Sequence, residues 1–153
     1  MFRGVNALTL DAKGRLAMPT RYRDRLRERS DGNLILTIDI DERCLLIYPL
    51  PEWEIIERKL DALPSFNHQA RRVQRLLVGH ATDAEMDGHG RVLVPPPLRQ
   101  YAGLERQVVM IGQGKKFELW DEQLWNERRD RWLGEETAAE GEELPSELQS
   151  LSL

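Results

Sequence analysis

One cysteine, Cys44, stands in a chain of 153 residues, so no disulfide can form within it. Stability must then come from an apolar core, and the single thiol points to a reducing cytosol. Long apolar runs are also missing. None approaches the roughly 20 residues a membrane helix needs, and no secretory leader is expected at the N-terminus. Histidine occurs only at His68, His80 and His89. The acids near the last two, Asp83, Glu85 and Asp87, do not complete a helical metal-binding spacing, so a solvated loop and hairpin is expected there instead of a hydrolytic or metal centre. Cys44 lies in an apolar strand segment and does not read as a nucleophile. Gly112-Gln113-Gly114-Lys115 is too short for a phosphate-cradling loop and reads as a hairpin turn. No catalytic residue, metal or cofactor is assigned.

Net positive charge is lacking too. The formal charge is −4, from 22 Lys+Arg against 26 Asp+Glu, which taken whole speaks against a nucleic-acid partner. Its distribution says otherwise. The last 21 residues, from Leu133, carry six glutamates (Glu135, Glu136, Glu140, Glu142, Glu143, Glu147) and no Lys or Arg. Residues 1–30 carry eight basic side chains (Arg3, Lys13, Arg15, Arg21, Arg23, Arg25, Arg27, Arg29) against Asp11, Asp24 and Glu28. The front is basic and the tail acidic. Such a tail reads either as a solvated flexible end or as a competitor of a polyanion for the basic surface. Arginine outnumbers lysine 18 to 4, and its planar fork pairs two-to-two with phosphate oxygens or a guanine edge.

What the sequence does hold is a repeat. Leu10-Asp11-Ala12-Lys13-Gly14-Arg15-Leu16-Ala17-Met18-Pro19 aligns with Met86-Asp87-Gly88-His89-Gly90-Arg91-Val92-Leu93-Val94-Pro95, and Arg23 with Arg99, at an offset of 76. The match resumes at an offset of 72, pairing Leu45–Tyr48 with Phe117–Trp120 and Trp53 with Trp125. The organisation expected is a first module over residues 1–60, a helical insert over 61–79, a second module over 80–132 and the acidic tail over 133–153. In each module a short strand enters a D-x-x-G turn, where glycine adopts positive φ without steric cost. A second strand leaves the turn, a proline stops it and opens a short helix, two apolar strands follow, and a helix closes the unit. Trp53, Ile56, Leu60 and Leu63 form one helical stripe; in the insert, Ala70, Val73 and Leu77 form another, backed by Arg71, Arg72 and Arg75 as a solvated or partner-binding face. The four tryptophans sit at core or interface spacing. Each module is too small to bury its apolar strand faces alone, so the halves are expected to interlock about a pseudo-two-fold axis with their turns side by side.

The repeated turn has a structural account: Asp bonds downstream backbone N–H groups, Gly takes the special dihedral and Arg pairs with Asp. It also has a functional one, because a guanidinium beside nearly bare backbone can approach a phosphate or a groove edge. Lys13 adds a charge to the first tip, whereas His89 at the second is mostly neutral at pH 7, so the first tip is expected to dominate.

The two D-x-x-G-R-x-x-x-P elements, the opening Met1-Phe2-Arg3-Gly4, the run Leu45–Glu54 and the segment Arg71–Ala81 closely resemble the MraZ family of bacterial transcriptional regulators, over nearly the whole chain to about Trp125. The resemblance implies an α+β, mainly β fold: two AbrB-like swapped-hairpin modules forming an intrachain pseudo-dimeric β-barrel with short peripheral helices. It implies assembly into a ring, residence on the nucleoid in the cytoplasm, and binding to double-stranded DNA at short direct repeats upstream of the division and cell-wall gene cluster, including the protein's own promoter. It places DNA contacts at Lys13, Arg15 and Arg91, with Arg3, Arg21, Arg23 and Arg99 as further positives. The family's second tip commonly has Gln where His89 stands. A head-to-tail ring suits direct repeats, because one orientation propagates and avidity adds about 10²–10⁴ to a weak single contact. The competing reading is a non-enzymatic ring-forming module that binds another protein.

Overall fold

Each copy of the repeat folds in the order its residue pattern predicts. In the computed structural model the described residues are 1–135, 145–149 and 151. The first copy comprises β1 (Phe2–Thr9), β2 (Arg15–Ala17), α1 (Thr20–Ser30), β3 (Asn33–Ile38), β4 (Leu45–Pro49) and α2 (Leu50–Asp61). The insert forms α3 (His68–Val73), continued by a π-helical turn over Gln74–Val78. The second copy comprises β5 (Thr82–Glu85), β6 (Arg91–Leu93), α4 (Pro96–Ala102), β7 (Gln107–Gly114), β8 (Phe117–Asp121) and α5 (Glu122–Gly134). A short α6 (Ser146–Gln149) follows. Contacts divide the chain into two units, Met1–Glu122 and Gln123–Leu153.

Within the first unit the copies exchange strands. β1 of the first copy pairs with β7 of the second, from Phe2 opposite Gly114 to Thr9 opposite Gln107. β5 of the second copy pairs with β3 of the first, and β4 pairs with β8. The result is a six-stranded antiparallel sheet in the order β1-β7-β8-β4-β3-β5, with a separate two-stranded ribbon of β2 and β6.

The expected closed barrel is corrected by this topology: the sheet is open, with β1 and β5 as its edges. The reason lies in β2 and β6. Each has only three residues, spends its backbone groups on the other, and meets Pro19 or Pro95 soon after, where strand pairing ends. Neither strand is left to bridge the two edges.

Both faces of the central strands are covered, which is why β3 and β4 read as continuous apolar runs. Leu34, Leu36, Ile38, Leu45, Ile47, Met110 and Leu119 pack with Tyr22 and Leu26 of α1, Leu98 and Ala102 of α4, and Leu16 and Val92 of the ribbon. On the other face Ile35, Leu46 and Tyr48 pack with Trp53 of α2. There Thr37 is fully buried and donates its hydroxyl to the Leu77 carbonyl of the π turn at 2.6 Å. Leu77 falls beyond the regular helix, which ends at Val73, yet the π turn keeps it in the insert's stripe, packed against the cluster of Ile35, Leu46, Tyr48 and Trp53. Leu63 likewise falls beyond the end of α2 and is exposed.

Gly103 ends α4 in the left-handed conformation, at φ 62°, and Asp31 and Gly32 do the same for α1. In the second unit, Trp125 and Trp132 of α5 meet edge to face at 6.1 Å. Glu136, Glu140, Glu142 and Glu143 of the acidic tail lie outside the described residues.

Candidate nucleic-acid interface

The two repeated turns are built almost identically. In the first, the Asp11 carboxylate accepts the Lys13 N–H at 2.9 Å and the Arg15 N–H at 2.8 Å, and its second oxygen takes the Arg15 Nε–H at 2.7 Å. In the second, Asp87 accepts the His89 N–H at 2.8 Å, the Arg91 N–H at 2.9 Å and the Arg91 Nε–H at 3.2 Å. The Arg15 N–H holds the Asp11 carboxyl below the usual carboxylate range against an opposing effect of burial, with the Arg15 side chain and the Lys13 N–H adding to it. The Arg91 N–H acts in the same way on Asp87, followed by the His89 N–H. Gly14 and Gly90 close the turns at φ 81° and 77°.

Each turn is completed by the other copy. The Gly90 carbonyl accepts the Met18 N–H at 2.8 Å, and the Gly14 carbonyl accepts the Val94 N–H at 2.9 Å. Arg99 lies against Gly14, so a Cβ there would sit 2.5 Å from its guanidinium carbon; Arg23 lies against Gly90, where a Cβ would sit 2.2 Å from its Nε. These arginines are tied down in turn: the Arg23 Nε–H donates to the Met18 carbonyl at 2.7 Å and the Arg99 Nε–H to the Val94 carbonyl at 2.9 Å. Both are part-buried braces across the pseudo-two-fold, a placement that charge counting in the sequence does not reveal.

Strand pairing sets the ribbon's outward face. Arg15 pairs with Leu93, Leu16 with Val92 and Ala17 with Arg91. Leu16 and Val92 are fully buried, so period-2 alternation puts Arg15, Ala17, Arg91 and Leu93 on the opposite side. The Arg15 and Arg91 Cα atoms are then roughly 8 Å apart. In both side chains the carboxylate engages Nε, and the two terminal amines make no bond among the described residues. Lys13 and His89 are exposed beside them.

Arg3 and Arg21 do not join this cluster. At about 3.3 Å per residue, Arg3 stands roughly 20 Å along β1 from the first turn. Arg21 packs over the Tyr22 ring at 4.8 Å and donates to the Asn6 side-chain oxygen and, at 2.9 Å, to the Tyr22 hydroxyl.

A second cluster escaped sequence reasoning because its members come from three strands or strand ends. Asp39, Cys44 and Glu118 bring their potential ligand atoms within 4.8 Å of one another. Burial pushes the Cys44 thiol far up, so it stays protonated, 3.7 Å from an Asp39 oxygen. Burial also raises Glu118, which accepts the Trp120 indole N–H at 3.0 Å. This is a hydrogen-bonded core group, not an activated nucleophile. His80 is separate from it and bonds the Leu76 carbonyl through Nδ1 at 2.7 Å. Among the described residues no helix is long and apolar enough to cross a membrane.

The fold and site together are those of a duplicated α+β protein with exchanged strands and two carboxylate-anchored arginines on a β-ribbon. The chain belongs to the MraZ family: the family model described as "MraZ protein, putative antitoxin-like" matches residues 1–76 and 77–143. Over all 153 residues, and over the full length of each relative, the chain is 63% identical to the "Transcriptional regulator MraZ" of Halorhodospira halophila and 60% identical to that of Thioalkalivibrio sulfidiphilus. It is 56% identical over the same span to the protein of that name from Coxiella burnetii.

Proposed function

We propose that this protein is a sequence-specific DNA-binding transcriptional regulator that reads double-stranded DNA through the β2–β6 ribbon. One observation carries the reading: Arg15 and Arg91 are each anchored at Nε by a carboxylate while their terminal amines stay unengaged on the ribbon's outward face. A two-stranded ribbon fits the major groove, and a guanidinium held this way keeps the fork that pairs with the O6 and N7 of guanine. Lys13 supplies a phosphate contact beside Arg15. Arg23 and Arg99 serve mainly to hold the turns, and Arg3 and Arg21 lie apart from the contact face. The family relationship extends this reading to two AbrB-like modules per chain, a ring of copies on the nucleoid, and short direct repeats in the promoter of the division and cell-wall cluster, including the protein's own.

Gel shifts with a duplex of the upstream direct repeats against a shuffled duplex, at two salt concentrations, test this. The repeat duplex should bind more tightly, with log K falling by about 0.9 per neutralised phosphate for each decade of salt. Equal binding to both duplexes would refute the regulator reading and favour a protein-interaction module.

A further inference from the structure

The outward face of the ribbon carries one residue that electrostatics does not explain. Leu93 is 50% exposed, although its companions on that face are two arginines and an alanine. Its counterpart in the first copy is Ala17. Because the strands are antiparallel, Leu93 stands directly opposite Arg15, and Ala17 directly opposite Arg91. The two arginines are thus matched in their anchoring but not in their apolar neighbours: one has a side chain of four carbons beside it, the other a single methyl.

In the major groove, guanine offers acceptors to an arginine, and the C5-methyl of thymine is the distinctive apolar group. Side chains directly opposite on an antiparallel pair lie about 5 Å apart at Cβ, and neighbouring bases on one strand lie about 3.4 Å apart. A guanidinium on one base and a leucine on the next base or the one after are therefore compatible in reach. We propose that Leu93 is a specificity residue that packs on a thymine methyl next to the base contacted by Arg15, and that the Arg91–Ala17 half of the face makes no equivalent contact. This rests on the DNA-binding reading above and adds the chemistry of a base to it.

The test uses the full-length protein and the repeat duplex, with each thymine replaced in turn by deoxyuridine, which removes only the methyl group. For the wild type, one thymine per site should be sensitive, with binding weakened about 3- to 10-fold, as burial of a single methyl provides. Leu93→Ala should bind the thymine and uracil duplexes equally, with unchanged elution volume and melting temperature. Ala17→Leu should acquire a second sensitive thymine, so the inference does not depend on one variant. Insensitivity of the wild type to every uracil, with preference for the repeat duplex intact, would overturn the Leu93 assignment alone. So would a Leu93→Ala protein that keeps full thymine discrimination or changes its oligomeric state. Loss of preference between repeat and shuffled duplex in the wild type would overturn the DNA reading itself, and this assignment with it.

Discussion

Replacing Gly14 with alanine should be far more damaging than one methyl group suggests. At φ 81° an L side chain is strained, by about 1–2 kcal/mol. The new Cβ would also lie 2.5 Å from the Arg99 guanidinium carbon and 2.7 Å from its Nε. An arginine tip can swing away, but doing so breaks its 2.9 Å bond to the Val94 carbonyl. Hydrogen bonds to a charged group contribute about 1.5–3 kcal/mol. The sum is about 2.5–5 kcal/mol, which at roughly 3–4 °C per kcal/mol for a domain of this size lowers Tm by about 8–20 °C. Differential scanning calorimetry measures this directly. Gly88→Ala is the internal control, because nothing lies within 4 Å of its Cβ position, and it should shift Tm by less than about 2 °C. In the double variant Gly14→Ala/Arg99→Ala the clash has no partner, and the bond to Val94, lost in each single variant, is counted once, so the two costs should fall short of additivity by about 1.5–3 kcal/mol. A Gly14→Ala protein melting within about 2 °C of wild type, or strict additivity in the cycle, would refute the bracing of one copy's turn by the other copy's arginine.

Arg15→Ala should weaken binding to the repeat duplex more than Arg91→Ala, because Lys13 and Leu93 support only the first, and both variants should elute as the wild type does; equal losses would contradict the asymmetry. NMR titration should find the Asp11 and Asp87 carboxyls protonating below the usual aspartate value of about 3.9. A depressed carboxyl adds stability that is complete above its unfolded value and lost as pH falls through the folded one. Asp11→Asn and Asp87→Asn should therefore flatten the stability profile below about pH 4, and unchanged acid unfolding would argue against the latch. Deleting residues 134–153 should preserve or strengthen DNA affinity in filter binding, whereas a large loss would make the tail part of the interface.

Much of the fold was legible because each repeat carries strong local signals. The D-x-x-G turns, the prolines before the helices, Tyr22 and Leu26, Leu98 and Ala102, and Gly103 all stand where local rules put them. What escaped the sequence depends on partners far away in the chain. A three-residue strand such as Arg15–Ala17 does not say whether it pairs with its own hairpin mate or with Arg91–Leu93, and that choice separates an open sheet from a closed barrel. The site was legible in the same partial way. Asp11 and Arg15 meet within one turn, so their pairing follows from spacing. For Arg23 and Arg99, nothing local in the sequence shows that a glycine of the other copy lies underneath.

The crossed bonds between the turns also bear on how the protein is made. The Met18 N–H has its acceptor in Gly90, and Phe2 pairs with Gly114, so the N-terminal strands wait for partners that are translated much later. Contacts of such separation slow folding. At about 5–20 residues per second, the ribosome withholds those partners for several seconds. A chain cut short before β6 has no ribbon to present. Fragments that end before β6 should accordingly lack the proposed reading surface, and formation of the ribbon becomes a check that translation has passed Leu93.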